Sequence, residues 1–215
     1  LSAEEIFSSG FEDLVSASLC QAAPTMTDVS ADPNRKVFEM VDSIDPPGDI
    51  DYFSFTLGVN RWIFIMSGDN PSNDPDKLDS VVTLFSGDGN KPLAYNDNDG
   101  VYYDSQIIDR ASPGSTYCIK VEDASTATDA PPEGGPDFIY GVRVQPVDPA
   151  LDVGINQDEG DNDSTSNPQT GLSFYDLDFQ RSAVILGVID SESDVDVYEL
   201  LTPSNSKRMI FTINP

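Results

Sequence analysis

Two short stretches of this chain place paired carboxylates at the mouth of a strand. Gly48-Asp49-Ile50-Asp51-Tyr52-Phe53-Ser54-Phe55 returns 145 residues later as Ser193-Asp194-Val195-Asp196-Val197-Tyr198-Glu199-Leu200. In an extended segment the residue between two acids points the other way, so Asp49 and Asp51 share one side of the chain, as do Asp194 and Asp196. Like charges held that close repel unless water screens them or a cation sits between them. Calcium is the natural candidate, because it takes six to eight oxygen ligands in irregular geometry. The bland alternative is a polar loop whose aspartates cap turns.

Other chemistry is thin. The chain contains no histidine, which excludes Ser-His-Asp and Cys-His nucleophile systems and histidine-bearing zinc sites. No glycine-rich phosphate loop precedes a helix. Carboxylate pairs of the glycosidase kind are uninformative in a chain with 38 acidic residues. Asn96-Asp97-Asn98-Asp99-Gly100 invites an EF-hand reading and fails it, since Tyr95 and Gln106 stand where Asp and Glu are required. Catalysis is not expected. Trp62, with Tyr52, Tyr95, Tyr102 and Tyr103, could form an aromatic platform for a sugar ring or a collagen-like helix; the alternative is that these are ordinary strand and loop residues.

The charge balance, 38 acidic against 11 basic residues and a formal net charge of -27, argues against nucleic acid, whose binding needs cations on its phosphates. It argues equally against anionic membrane surfaces. No run of ~20 apolar residues offers a membrane span. Most of the acids are read as solvation, and only those clustered at loop positions as metal candidates. The chain opens at Leu1, so the lack of a targeting signal says nothing about compartment.

The elements that must position these residues are short and β-like. Tyr52–Leu57 alternates, with Phe53, Phe55 and Leu57 inward. Arg61–Met66, Val81–Phe85, Ser105–Ile108, Thr116–Glu122 and Phe138–Val144 read as further strands, separated by Gly-, Pro-, Asn- and Asp-rich turns. The predicted class is all-β, an antiparallel β-sandwich of jelly-roll type. A short helix is expected near residues 2–6, a long hairpin loop over 124–136, and a flexible acidic linker over 148–171. Within Thr116-Tyr117-Cys118-Ile119-Lys120-Val121, Cys118 shares the face of Lys120, the solvent side of the strand. Cys118 is therefore expected outside the core, with Cys20 of the preceding segment as disulfide partner, a bridge that would pin this leader against the outer face of the sandwich; two unpaired thiols are the alternative.

The repeat flanks agree too: Arg61-Trp62-Ile63-Phe64-Ile65 corresponds to Arg208-Met209-Ile210-Phe211-Thr212. The expected organisation is a leader over 1–23, a complete sandwich over 24–148, and over 149–215 the opening part of a second copy. A half-sandwich would leave an apolar sheet face and strand edges uncovered.

Four motifs in order, Gly48–Leu57, Leu78–Phe85 with Gly87-Asp88-Gly89, Asn96–Gly100 and Pro113–Val121, resemble the bacterial pre-peptidase C-terminal domain. That family is appended to secreted peptidases and includes the collagen-binding domains of clostridial collagenases. The resemblance covers residues 37–145, and the start of a second copy from 156 to 215. It implies a jelly-roll-like sandwich that binds calcium near its entry, where a Glu-Pro-Asn-Asp-like opening joins the Asp-x-Asp loop. For the second copy this implies Glu159, Asp161 and Asp163 with Asp194 and Asp196. For the first it implies Asp32 and Asn34 with Asp49 and Asp51, although the leading Glu is missing and Arg35 stands where an acid is usual. The implied role is a non-catalytic accessory module of a larger secreted or cell-surface bacterial protein, probing an extracellular polymer (collagen-like or polysaccharide) or aiding secretion and folding. The alternative is a tandem structural spacer or adhesion repeat with no ligand of its own.

Overall fold

In the computed structural model the described residues are 17–58, 61–69, 77–97, 104–112, 114–128, 130–148, 150, 152, 154–158, 160, 162, 164–177, 180–187, 191 and 193–200. The predicted helix near 2–6 and the residues 201–215 of the second copy lie outside them. The chain falls into two compact units, the first running to Pro146 and the second beginning at Val147.

The first unit is two β-sheets packed face to face. One sheet has five strands in the order β1 (Thr27–Asp28), β2 (Phe38–Ser43), β9 (Ile139–Val147), β4 (Arg61–Asp69) and β7 (Gln106–Ala111). The other has four, in the order β3 (Ile50–Thr56), β8 (Thr116–Asp123), β5 (Ser80–Ser86) and β6 (Pro92–Asn96). The alternating residues meet between the sheets. Phe53 and Phe55 of β3, Tyr117, Ile119 and Val121 of β8, and Val82 and Leu84 of β5 face Ile63 and Ile65 of β4, Ile107 of β7, and Tyr140, Val142 and Val144 of β9 in one core. Phe55 lies 5.5 Å from Tyr117 and 5.8 Å from Phe38 between ring centroids, close enough for the offset contacts aromatic rings favour.

Polar atoms caught between the sheets are paired, as burial demands. Ser67 Oγ of β4 lies 2.6 Å from Ser80 Oγ of β5. Ser105 Oγ donates to the carbonyls of Ser80 at 2.6 Å and Asn96 at 2.8 Å, and its N–H donates to Ser67 Oγ at 2.9 Å. Gly87, in the turn after β5, is required by close approach: a Cβ there would sit 2.3 Å from the Thr116 carbonyl oxygen.

Several elements depart from the sequence reading, β1 and β2 among them, and a strand, Ile155–Gln157, forms inside the expected flexible acidic linker over 148–171. A helix, α1, spans 17–22. Strand β6 forms although it begins with Pro92, a residue that an edge strand tolerates. The predicted hairpin loop over 124–136 opens with a one-turn helix, α2 (Ala124–Ala127), capped by the Asp123 carboxylate, which accepts from Ser125 N at 2.9 Å.

Strand polarity places Cys118 on the outer face of the four-stranded sheet, as the alternation with Lys120 requires. It is nevertheless fully buried. A disulfide joins it to Cys20 of α1, so the leader lies over this face and packs Cys20 against Phe85, with Tyr52 beside them. Cys118 stays outside the main core, and its burial comes from the leader seated on this outer face. From there the leader pairs with the edge strand β3, where Ser54 N donates to the Pro24 carbonyl and Met26 N to the Ser54 carbonyl. Met26 enters the core, and the chain continues as β1 in the opposite sheet.

The second unit is built differently. Strands β10 (Ile155–Gln157) and β13 (Val184–Leu186) pair in parallel, and β11 (Tyr175–Leu177) pairs antiparallel with β12 (Gln180–Ser182). Few of its described apolar side chains are buried, Ile155 and Leu186 among them. Side-chain amides do much of the joining. Asn156 Nδ2 donates to the carbonyls of Val184 at 3.0 Å and Ser173 at 3.1 Å, and its Oδ1 accepts from Ser173 N at 2.7 Å. Gln157 Nε2 donates to the Leu186 carbonyl, and Gln169 Nε2 to the Gln157 carbonyl.

Candidate functional site

The turn that delivers the first acid pair needs a left-handed residue, and Gly48 supplies it at φ +84°. Asp49 then accepts from Ile50 N at 3.0 Å and starts β3. Asp51 points inward, on the face of Phe53. Its Oδ2 accepts the phenol proton of Tyr140, a fully buried residue of the opposite sheet, at 2.5 Å. The Tyr140 ring is seated against Phe53, with centroids 6.4 Å apart. Burial pushes the Asp51 carboxyl up to about 6; the phenol hydrogen bond opposes this, and the charges of Asp42 and Asp49 add to it. Burial, then the Asp51 carboxylate, drives the Tyr140 phenol far above the ordinary range.

Asp32 and Asn34 do not join this pair. Asp32 Oδ1 accepts from Asn34 N at 2.8 Å and its carbonyl from Arg35 N at 3.0 Å, which closes a local turn. Arg35 Nη2 donates to the Pro146 carbonyl at 3.2 Å. Among the described residues no three acids, cysteines or histidines are gathered as a metal site. The set Asp32, Asn34, Asp49 and Asp51 is thus not gathered into one cluster.

In the second unit, Glu159, Asp161 and Asp163 lie outside the described residues. Asp194 follows a turn in which its N–H donates to the Ser191 carbonyl at 3.1 Å. Asn162 is buried, 1% exposed. Val197 N donates to the Asn162 carbonyl at 3.0 Å, and Asn162 Nδ2 donates to the Val197 carbonyl at 3.2 Å. Its Oδ1 is buried with no hydrogen-bond partner. The Tyr198 phenol donates to Asp158 Oδ1 at 3.2 Å. Burial, followed by the charges of Asp158 and Asp196, lifts that phenol to about 12. Asn162 Oδ1 is thus an unsatisfied buried oxygen on a side chain bonded to the Asp-x-Asp segment at Val197.

Trp62 faces outward on the five-stranded sheet, opposite in sense to the buried Ile63 and Ile65. Phe64 and Met66 share its face, and across the β4–β7 ladder Arg110 stands opposite Trp62 and Ile108 opposite Phe64. Tyr102 and Tyr103 lie outside the described residues. Tyr95 is exposed on the other sheet's edge strand β6, so it shares no platform with Trp62. The alternation in Arg61–Met66 would have found Phe64 and Met66, and Asn162 stands inside the acidic opening Glu159–Asp163; nothing local in the sequence announces Tyr140.

An open depression lined by Ser86, Gly87, Asp88, Leu93, Ser115, Thr116 and Tyr117 offers no acid–base pair. Its Ser86 hydroxyl is donated to Asp88 Oδ1 at 2.6 Å, and Thr116 Oγ1 is tied to Thr56 Oγ1 at 2.8 Å.

No family model matches the chain, and no curated protein does. Among solved structures, the pre-peptidase C-terminal domain of collagenase from Bacillus anthracis is 15% identical, with a TM-score of 0.38 over 57% of this chain and 93% of that one. PliG of Aeromonas hydrophila, a periplasmic inhibitor of g-type lysozyme, is 12% identical, with a TM-score of 0.38 over 57% of this chain and 96% of that one.

Proposed function

We propose that this chain is a non-catalytic accessory module of a secreted bacterial protein, a peptidase or other hydrolase, and that it binds an extracellular polymer. The observation that carries the reading is where the reactive groups have gone. Both cysteines are spent in one disulfide, the chain has no histidine, and among the described residues the strongly raised carboxyl, Asp51, is held by a phenol and not beside a nucleophile. A disulfide that fastens a leader across a sheet belongs to an oxidising compartment outside the cytosol.

Structural calcium in the second unit is part of this proposal. Asn162 Oδ1, Asp158 and Asp196 would hold it, with Glu159, Asp161, Asp163 and Asp194 as the further acids of the motif. Bound there, the ion would neutralise carboxylates and tie the loop at 158–163 to the returning Asp-x-Asp segment. Titration calorimetry and thermal unfolding of the full chain test it. Calcium is expected to release heat and raise the unfolding temperature, and Asn162→Ala to lower the affinity at least tenfold. A chain that shows neither heat nor shift has no such site.

The return of one motif in two separate units favours a second reading, a tandem spacer with no ligand of its own. Retention on insoluble polymers separates the two, because a spacer is retained on none.

A further inference from the structure

We infer that the outer face of the five-stranded sheet is the docking surface for a neutral, extended polysaccharide, with Trp62 as its anchor. The inference rests on the polymer-binding reading above and gives it a place and a ligand class.

An antiparallel sheet normally turns polar residues to water on its outer face. Here Trp62, Phe64 and Met66 follow one another along β4, and Ile108 lies directly across from Phe64 on β7. None of them belongs to the core cluster. At one side of the strip the side chains vanish. Gly141 and Gly68 are neighbours, a Cβ on Gly141 falling 3.9 Å from the Gly68 carbonyl oxygen, and Val41, opposite Gly141, is 68% exposed. The strip is bordered by flat polar groups: Gln106 opposite Met66, Arg110 opposite Trp62, and the row Glu39, Arg143 and Gln145, in which Arg143 pairs with Glu39 and its Nε donates to Gln145 Oε1 at 3.0 Å.

Size and charge select the occupant. Each of the four apolar side chains is more than half covered by its neighbours, so together they offer no more than about 300 Å². A stable protein interface needs roughly 800 Å² from each partner, which disfavours a second copy or a folded protein. A polyanion would approach a chain of net charge -27 against its field. A polycation finds no surplus of acid on this face, where Glu39 is matched by Arg143 and Arg110 adds a positive charge. A neutral sugar chain meets neither obstacle. Its C–H faces can lie on Trp62 and Phe64, and its hydroxyls can reach, along the border, amides that both donate and accept and guanidinium groups that donate.

Trp62 is the sole tryptophan of the chain, so its emission reads the proposed site directly. The full chain is titrated with cellohexaose and with chitohexaose. Retention is measured on insoluble cellulose, chitin and collagen, and on alginate beads. The expected result is a saturable change in Trp62 emission with a neutral oligosaccharide and retention on the matching polymer. Phe64→Gln is expected to weaken binding about tenfold while leaving the unfolding transition in place, and Trp62→Ala to abolish retention. Because Phe64 lies outside the core, its variant keeps the test valid if Trp62→Ala unfolds. Retention on collagen with Trp62 emission unchanged would overturn this assignment and leave the polymer-binding module standing. Preference for alginate would overturn the neutral class. Retention on nothing would overturn both, in favour of a spacer.

Discussion

The same acidic motif is held by two kinds of cohesion. In the first unit Asp49 and Asp51 begin a strand bonded along its length to β8, over a continuous apolar core. In the second, Asp194 and Asp196 lie in a segment joined by an isolated bridge, Gln169 to Tyr198, and by bonds between Val197 and the buried Asn162, with no ladder along its described length. Each carboxylate neighbourhood contains a tyrosine phenol, but the geometry differs. Tyr140 reaches Asp51 from the opposite sheet, whereas Tyr198 belongs to the motif itself and reaches Asp158. The backbone entry differs as well, because Ser193 stands in the second motif where Gly48 holds a left-handed turn in the first. A short motif therefore carries its acids, but their partners come from whatever packs over them.

The largest expected effect falls on the staple of the first unit. Cys118→Ser frees a loop with a sequence separation of 98, and about 3–4 kcal/mol of stability should be lost with it. Urea unfolding with and without reductant checks this, and signals from the second unit should not move. Equal loss in both units would break the contrast. Next is Asn156→Ala, which removes a buried amide hub of the second unit and should cost about 2–3 kcal/mol; hydrogen exchange at 155–157 and 184–186 localises it.

Tyr140→Phe deletes the donor to a carboxylate and should cost about 2 kcal/mol. It should also push the Asp51 carboxyl above its value of about 6, since the phenol bond holds it down; carbon-detected NMR titration of the side chain reads this. The pH dependence has a definite sign. Asp51 sits at about 6 folded against 3.8 unfolded, so its protonated form favours the fold. Its contribution is complete below pH 3.8 and is lost as pH rises through about 6. With discount for solvent screening this amounts to about 1–2 kcal/mol. Asp51→Asn, whose amide oxygen still accepts the phenol proton, should flatten that slope in unfolding midpoints measured from pH 4 to pH 7. The smallest effect is at the turns. Gly48→Ala, at φ +84°, should cost about 1 kcal/mol or somewhat more, and Ser193→Gly only tenths, as melting temperatures would show.

Much of the first unit was legible because its strands obey a two-residue period. Phe53, Phe55 and Leu57 face the core, as do Tyr117, Ile119 and Val121. Strand β6 was hidden by its leading Pro92, and α1 by the lack of an amphipathic run long enough to be seen. The candidate site was less legible. Asp49 and Asp51 stand out, but the calcium set drawn around them from Asp32 and Asn34 gives way to local turns, which offer backbone donors with no loop to close.

By itself the amino-acid order determined strand identity, the inward and outward faces, the absence of histidine chemistry and the outward aim of Trp62, because these depend on side-chain type and the pleat of a single segment. Tertiary structure alone decided that Tyr140 holds Asp51 across 89 residues of chain and that Asn162 is left with an unsatisfied oxygen. Such contacts join segments distant in sequence, and their energies depend on burial that no local pattern encodes.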